Sequence, residues 1–185
     1  MIITTPAVIR RLKPIIENIS DDAPVRVLFV CLGNICRSPA AEAIMLETLS
    51  EHNATAGWKI DSAGTGNYHI GQLADPRMRA HARRRGLELT HRCRQIREHD
   101  FEDFDIIIGM DDNNVRNLRS LAPTVDDEER VMAMADFFGS HSRYDHVPDP
   151  YYEGAEGFEL VLDQLADATL NLYDTVTSLR HQEEA

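Results

Sequence analysis

Only three cysteines occur among the 185 residues. They are too few for a framework in which every thiol is paired, so reduced thiols in a cytoplasmic setting are expected. No stretch approaches the roughly 20 apolar residues needed to cross a bilayer, and no membrane span is expected. The opening Met1-Ile2-Ile3-Thr4-Thr5-Pro6 lacks a basic start, a long apolar centre and a small-residue cleavage site, so it does not read as a signal peptide. An excess of positive charge is also missing. The net charge of -12 would repel a phosphate backbone, which argues against nucleic acid as a partner. There is no internal repeat and no low-complexity segment. What is present, 43% apolar and 27% charged residues, suits a soluble globular chain. Its length allows one domain with a sizeable core and is too short for two.

Along the chain, Val8, Ile9, Leu12, Ile15, Ile16 and Ile19 form a helical stripe that Pro14 interrupts. The pattern predicts a helix from about Pro6 to Lys13, or one restarting at Pro14, rather than a continuous one. Such a stripe either packs on the domain or docks a partner. Ser20-Asp21-Asp22-Ala23-Pro24 is a turn-rich boundary, so residues 1–24 read as an extension, 25–180 as the domain and 181–185 as a tail that frays. From Val25 onward strands and helices alternate. Val25–Val30, Trp58–Ser62, Asp105–Met110 and Val131–Ala135 read as strands. Helices are expected over 39–51, from Asp75-Pro76 to Gly86, over 112–121, and along a closing face running from Phe158 to Leu179. The alternation predicts an α/β fold: one small parallel sheet of about four strands with helices on both faces. Eight arginines lie between residues 77 and 98 against Glu88 and Glu98, a run that is either a solvated helix face or a lure for acidic protein substrates.

The segment Cys31-Leu32-Gly33-Asn34-Ile35-Cys36-Arg37 follows the first strand directly and precedes Ser38-Pro39, which reads as a helix start with Ser38 as cap. A strand end, a Gly-containing turn and a helix N-terminus gather backbone N–H groups and a positive dipole end around one anion-sized hollow. Arg37 adds a planar fork that matches two phosphate oxygens. The same field favours Cys31 as a thiolate nucleophile. In parallel sheets ligands bind beyond the C-terminal strand ends, where Cys31 sits.

Cys-x5-Arg-Ser-Pro after a hydrophobic strand resembles the phosphate loop of the low-molecular-weight protein tyrosine phosphatases, and Asp149-Pro150-Tyr151-Tyr152 is similar to that family's Asp-Pro-Tyr-Tyr. Asp61-Ser62-Ala63-Gly64, Asp75-Pro76-Arg77, His91-Arg92-Cys93-Arg94-Gln95 and Met110-Asp111 follow in family order. The resemblance implies a metal-free phosphotyrosine-protein phosphatase with no cofactor, working through a phosphocysteine. Cys31 would be the nucleophile, Arg37 the oxyanion clamp and Asp149 the general acid. Leu32, Gly33, Asn34, Ile35, Cys36, Arg37 and Ser38 would bind phosphate, with Asn34 and Ser38 supported from behind by Ser62 and His91. Ile35, Tyr68, Tyr151 and Tyr152 would wall the aryl ring, Tyr68 standing where a tryptophan often occurs. Asp111 is either a helix cap or part of the site. Cys36 is either a packing residue or the partner of Cys31 in a protective disulfide. Its Cys-x4-Cys spacing from Cys31 also suits half a zinc site, for which a phosphate loop leaves no room.

The substrate implied is a tyrosine-phosphorylated protein, in a bacterium a tyrosine kinase of polysaccharide export. Oligomeric state is not legible. Three alternatives stand beside the phosphatase. A thioredoxin-coupled arsenate reductase needs two further cysteines downstream, and only Cys93 is present. A protein-arginine phosphatase would tend to carry Thr in place of Ile35 and to lack the paired tyrosines. A silent phosphotyrosine-binding module would not need Cys31, Arg37 and Asp149 together.

Overall fold

The computed structural model describes residues 4–140 and 142–181. Four parallel strands, β1 (Val25–Cys31), β2 (Trp58–Gly64), β3 (Ile106–Gly109) and β4 (Val131–Ala133), lie in the order β2-β1-β3-β4. The sheet is the α/β architecture expected, a single domain. Alternate residues of β1 explain why helices cover both faces. Val25, Val27, Phe29 and Cys31 point into one apolar cluster, and Leu28 and Val30 into another. Ile106 and Ile108 of β3 join the first cluster and Ile107 the second, so a run without polar residues is buried on both sides.

The first cluster is closed by α1 (Pro6–Glu17), α2 (Arg37–Glu51), α3 (Pro76–Arg84) and α7 (Ala155–His181). The second is closed by α4 (Asp100–Asp103) and α5 (Asp112–Leu121), while α6 (Val125–Glu129) leads into β4. Because β1 has β2 on one side and β3 on the other, its C-terminal end is where the connections diverge. That is the place where such sheets open a crevice.

Three expectations are corrected. Helix α1 runs unbroken through Pro14. An internal proline costs about 3 kcal/mol, and the fully inward Leu12 and Ile16, with Val8, offset it by burial against α7 and the first cluster. Thr5 caps the helix, and Arg11 donates to the Val131 carbonyl at 2.8 Å. Helix α2 begins at Arg37 with Cys36 in the cap position, not at Pro39 with Ser38 as cap, because the Ser38 hydroxyl is used inside the loop. β4 ends at Ala133, where Asp136 takes the Ala133 N–H and turns the chain into a 3-10 helix over Met134–Phe137. The short helices α4 and α6 occupy stretches to which the sequence pattern assigns no element.

Of the tail expected to fray, His181 closes α7 and residues 182–185 lie outside the described residues, as do Met1–Ile3 of the segment read as no signal peptide. No helix among the described residues is long and apolar enough to cross a membrane.

Candidate active site

Residues 31–37 form a closed loop between β1 and α2. Asn34 stands at its turn with φ of 56°, a left-handed conformation that Asn tolerates better than most residues. The loop lies so close to β2 that a Cβ on Gly64 would meet the Leu32 carbonyl at 2.7 Å and the Asn34 nitrogen at 3.1 Å. Glycine is therefore required there.

The Asn34 carboxamide is the hub behind the loop. Its Nδ2 donates to Ser38 Oγ at 2.9 Å and to Ser62 Oγ at 3.0 Å. Its Oδ1 accepts from Arg94 N at 2.9 Å and His91 Nε2 at 3.1 Å. The Ser62 hydroxyl donates to the Glu42 carboxylate at 2.6 Å. His91 Nδ1 faces Glu42 at 3.2 Å and Asp61 at 3.4 Å. The Cys93 thiol donates to the Asn34 carbonyl at 2.8 Å. Every polar atom of the buried Asn34 side chain thus has a partner, and the turn cannot relax without breaking several bonds. The output of this network is Ser38, whose Oγ lies 3.1 Å from Cys31 Sγ and 3.2 Å from the Ala63 carbonyl.

Glu42, Asp61 and His91 bring ligand atoms within 4.8 Å of one another, a spacing that suits a metal ion. Arg94 already supplies positive charge there, donating to Asp61 at 2.8 and 3.0 Å, so the group reads as a hydrogen-bond cluster supporting the loop.

Arg37 is buried at the mouth of α2. Its Nη1 donates to Asp111 at 2.6 Å and to the Val147 carbonyl at 3.1 Å, and its Nη2 donates to Asp149 at 3.3 Å. Burial opposes the guanidinium charge, but Cys31, Asp111 and Asp149 more than offset this and raise its pKa further. Asp111 is therefore both a partner of Arg37 and the cap of α5, where it exchanges bonds with Asn114. Asp149 likewise caps the Pro150–Tyr152 turn and faces the site. Burial, then Asp75, raises the Cys36 thiol well above its ordinary value, so this neighbour of Cys31 is held protonated.

Cys31, Cys36, Arg37 and Asp149 line one open cleft of about 370 Å³ with Leu32, Gly33, Ile35, His69 and the three tyrosines 68, 151 and 152. A larger cavity, about 680 Å³, lies between α1 and the N-terminal strand ends, but it holds no nucleophile. The smaller one holds the candidate nucleophile Cys31. Tyr151 and Tyr152 meet edge to face with centroids 5.0 Å apart. Tyr68 packs against Gly66, where a Cβ would come within 2.5 Å of the ring. The structure thus places the expected cleft residues around one opening, with Asn34, Ser38, Ser62 and His91 one layer behind.

Sequence reasoning gave no role to Glu42, Arg94 or His69. Glu42 and Arg94 act only through contacts distant in sequence, and His69 carried no signal beyond its place after Tyr68. The arginine-rich run is largely spent internally: Arg83 pairs with Glu88, Arg85 with Glu159 and Asp163, and Arg94 with Asp61 and Asp100.

Residues 26–184 match the family model described as low molecular weight phosphotyrosine protein phosphatase. A Drosophila melanogaster protein named low molecular weight phosphotyrosine protein phosphatase 1 is 47% identical over 140 residues, 75% of this chain and 88% of that one. Among solved structures, a protein tyrosine phosphatase from Entamoeba histolytica superposes with a TM-score of 0.80 at 42% identity, over 83% of this chain and 97% of that one. A Drosophila arginine phosphatase superposes with a TM-score of 0.75 at 30% identity, over 80% of this chain and 95% of that one.

Proposed function

Since the chain belongs to the low molecular weight phosphotyrosine protein phosphatase family and is a cysteine-based hydrolase of phosphotyrosine in proteins, we propose that its reaction runs through Cys31, Arg37 and Asp149. The Cys31 thiolate attacks phosphorus in line with the leaving oxygen, so that an S–P bond forms as the P–O bond breaks. Loop N–H groups and the Arg37 fork hold the three equatorial oxygens as charge redistributes over them. Asp149 gives its proton to the departing phenolate, a contribution of about 10²–10⁴ in rate. In the second step the Asp149 carboxylate takes a proton from water, water attacks the phosphocysteine, and phosphate leaves as the thiolate is restored. The observation that carries this reading is the sharing of one cleft by Cys31, Arg37 and Asp149, with Arg37 bonded to Asp149 at 3.3 Å.

Tyrosine rather than arginine as the phosphorylated residue is supported by the apolar Ile35 in the loop and by the aromatic walls Tyr68, Tyr151 and Tyr152. Parallel turnover of phosphotyrosine, phosphoarginine and arsenate by the purified protein tests this. Faster release from phosphoarginine, or thioredoxin-dependent reduction of arsenate, would replace the reading. A bacterial tyrosine kinase as natural substrate rests on the resemblance alone.

We also infer redox control and a reducing, cytoplasmic setting, supported by three free cysteines buried at one site. Peroxide would convert Cys31 to a sulfenic acid, and the Cys36 thiol would displace water to close a reversible disulfide.

A further inference from the structure

Asp75 and Arg77 join two parts of the active site that the reaction needs in register. Asp75 caps α3, and its backbone N–H donates to the Ile35 carbonyl of the phosphate loop at 2.7 Å. Its buried carboxylate receives the Arg77 backbone N–H at 2.8 Å, Nε at 3.0 Å and Nη2 at 2.9 Å. The remaining arm of the fork, Nη1, donates to the Tyr151 carbonyl at 3.0 Å. The guanidinium carbon also lies 5.1 Å from the Tyr151 ring centroid and 5.0 Å from that of Phe158, within cation–π range of both. Tyr151 in turn donates its N–H to Asp149 Oδ1 at 3.1 Å. A continuous path therefore runs from Ile35 through Asp75, Arg77 and Tyr151 to Asp149.

An ordinary surface ion pair has little effect. This one differs because both faces of the guanidinium fork are committed, one edge to a carboxylate and the other to a carbonyl. Burial alone would raise the Asp75 carboxyl, but the Arg77 bonds outweigh it and hold the group below its ordinary value, so the anion stays available to Arg77. With a phosphate in the loop the Arg37 fork would turn to its oxygens, and the Tyr151 N–H would then be the remaining hold on Asp149.

We propose that Arg77 is a positioning residue for the reaction: it clamps the Pro150–Tyr152 turn to the phosphate loop and so places Asp149 and the Tyr151 ring at the cleft, an inference that rests on Asp149 as general acid. Lysine cannot replace it, since one ammonium cannot reach Asp75 and the Tyr151 carbonyl with a fork.

The test measures kcat/KM for a series of aryl phosphates of rising leaving-group pKa with wild type, Arg77→Gln, Arg77→Lys, Asp149→Asn and the double variant Arg77→Gln/Asp149→Asn. Arg77→Gln is expected to lose little with acidic phenols and about 10- to 100-fold with phenyl phosphate, the scale of a misplaced catalytic group. In the Asp149→Asn background the same change should add no further loss. Inhibition by vanadate and the melting temperature should stay close to wild type. Should the glutamine variant fail to fold, the lysine variant, expected to show the same leaving-group dependence, carries the comparison. A loss equal across the series, or one that adds in full to Asp149→Asn, overturns the inference and leaves Asp149 as the acid. A flat series for Asp149→Asn itself removes the general acid and the inference with it.

Discussion

The Ser38 hydroxyl stands 3.1 Å from the Cys31 sulphur, and it is held there by an Asn34 N–H at 2.9 Å. A hydroxyl has one proton to give. Beside a neutral thiol that proton serves the Ala63 carbonyl at 3.2 Å, and beside a sulphur bearing negative charge it can turn to the sulphur. In the proposed reaction, charge develops on that sulphur twice in each cycle, before attack and again as the phosphocysteine breaks. The position of Ser38 in the middle of the network from Glu42 and His91 through Asn34 thus gives the support layer a route to the chemistry.

Ser38→Ala is therefore expected to slow the breakdown of the phosphocysteine. A hydrogen bond to a charged group contributes about 1.5–3 kcal/mol, which corresponds to about 10- to 150-fold in kcat. Rapid-quench measurement should show a burst of phenol followed by a slow steady state. A variant with wild-type kcat would mean that the hydroxyl only packs.

Cys31→Ser should abolish turnover, because a hydroxyl in this loop is not ionised near neutral pH and is a far weaker nucleophile than a thiolate. Vanadate or phosphate binding should survive, since Arg37 and the loop N–H groups remain. Turnover above about a hundredth of wild type would take the nucleophile's role away from Cys31.

Much of this arrangement was legible in the sequence because it is local. Seven consecutive residues after an apolar run define the loop, and the unbroken Ile106, Ile107 and Ile108 define a strand buried on both faces. The helix face from Phe158 to Leu179 is visible from periodicity alone. What escaped is non-local. Nothing near Glu42 announces that it accepts from the Ser62 hydroxyl, and nothing near Arg94 announces Asp61. The start of α2 was misplaced for a related reason: Ser38 has the residue type of a cap, but the loop uses its hydroxyl. Pro14 was taken as a break because sequence shows its cost and not the burial that outweighs it.

Peroxide is expected to inactivate the enzyme reversibly, with dithiothreitol restoring activity. Burial keeps Cys36 protonated, so it does not compete with Cys31 as a nucleophile toward phosphate esters. The Cys36→Ser variant should pass instead to irreversible sulfinic and sulfonic acids. Recovery as complete as wild type after the same exposure would rule out the protective disulfide.

The last prediction concerns α1, which lies outside the segment matched by the family model. Val8, Leu12 and Ile16 are buried in the same apolar cluster as α2, α3 and α7, and Arg11 reaches the Val131 carbonyl and Asp136 beyond the end of β4. The catalytic groups stand at the other end of the sheet, at and beyond Cys31. Leu12→Ala should therefore lower stability by about 2–5 kcal/mol and leave kcat/KM for a small aryl phosphate nearly unchanged below its melting temperature. Removing residues 1–24 should lower the melting temperature further, because it takes away all three buried side chains at once, each worth about 1.5–3 kcal/mol at most. Denaturant unfolding and initial-rate kinetics on the same preparations separate the two effects. A truncated chain with unchanged stability would show that α1 does not brace the core. A stable one that has lost turnover would place α1 in communication with the phosphate loop.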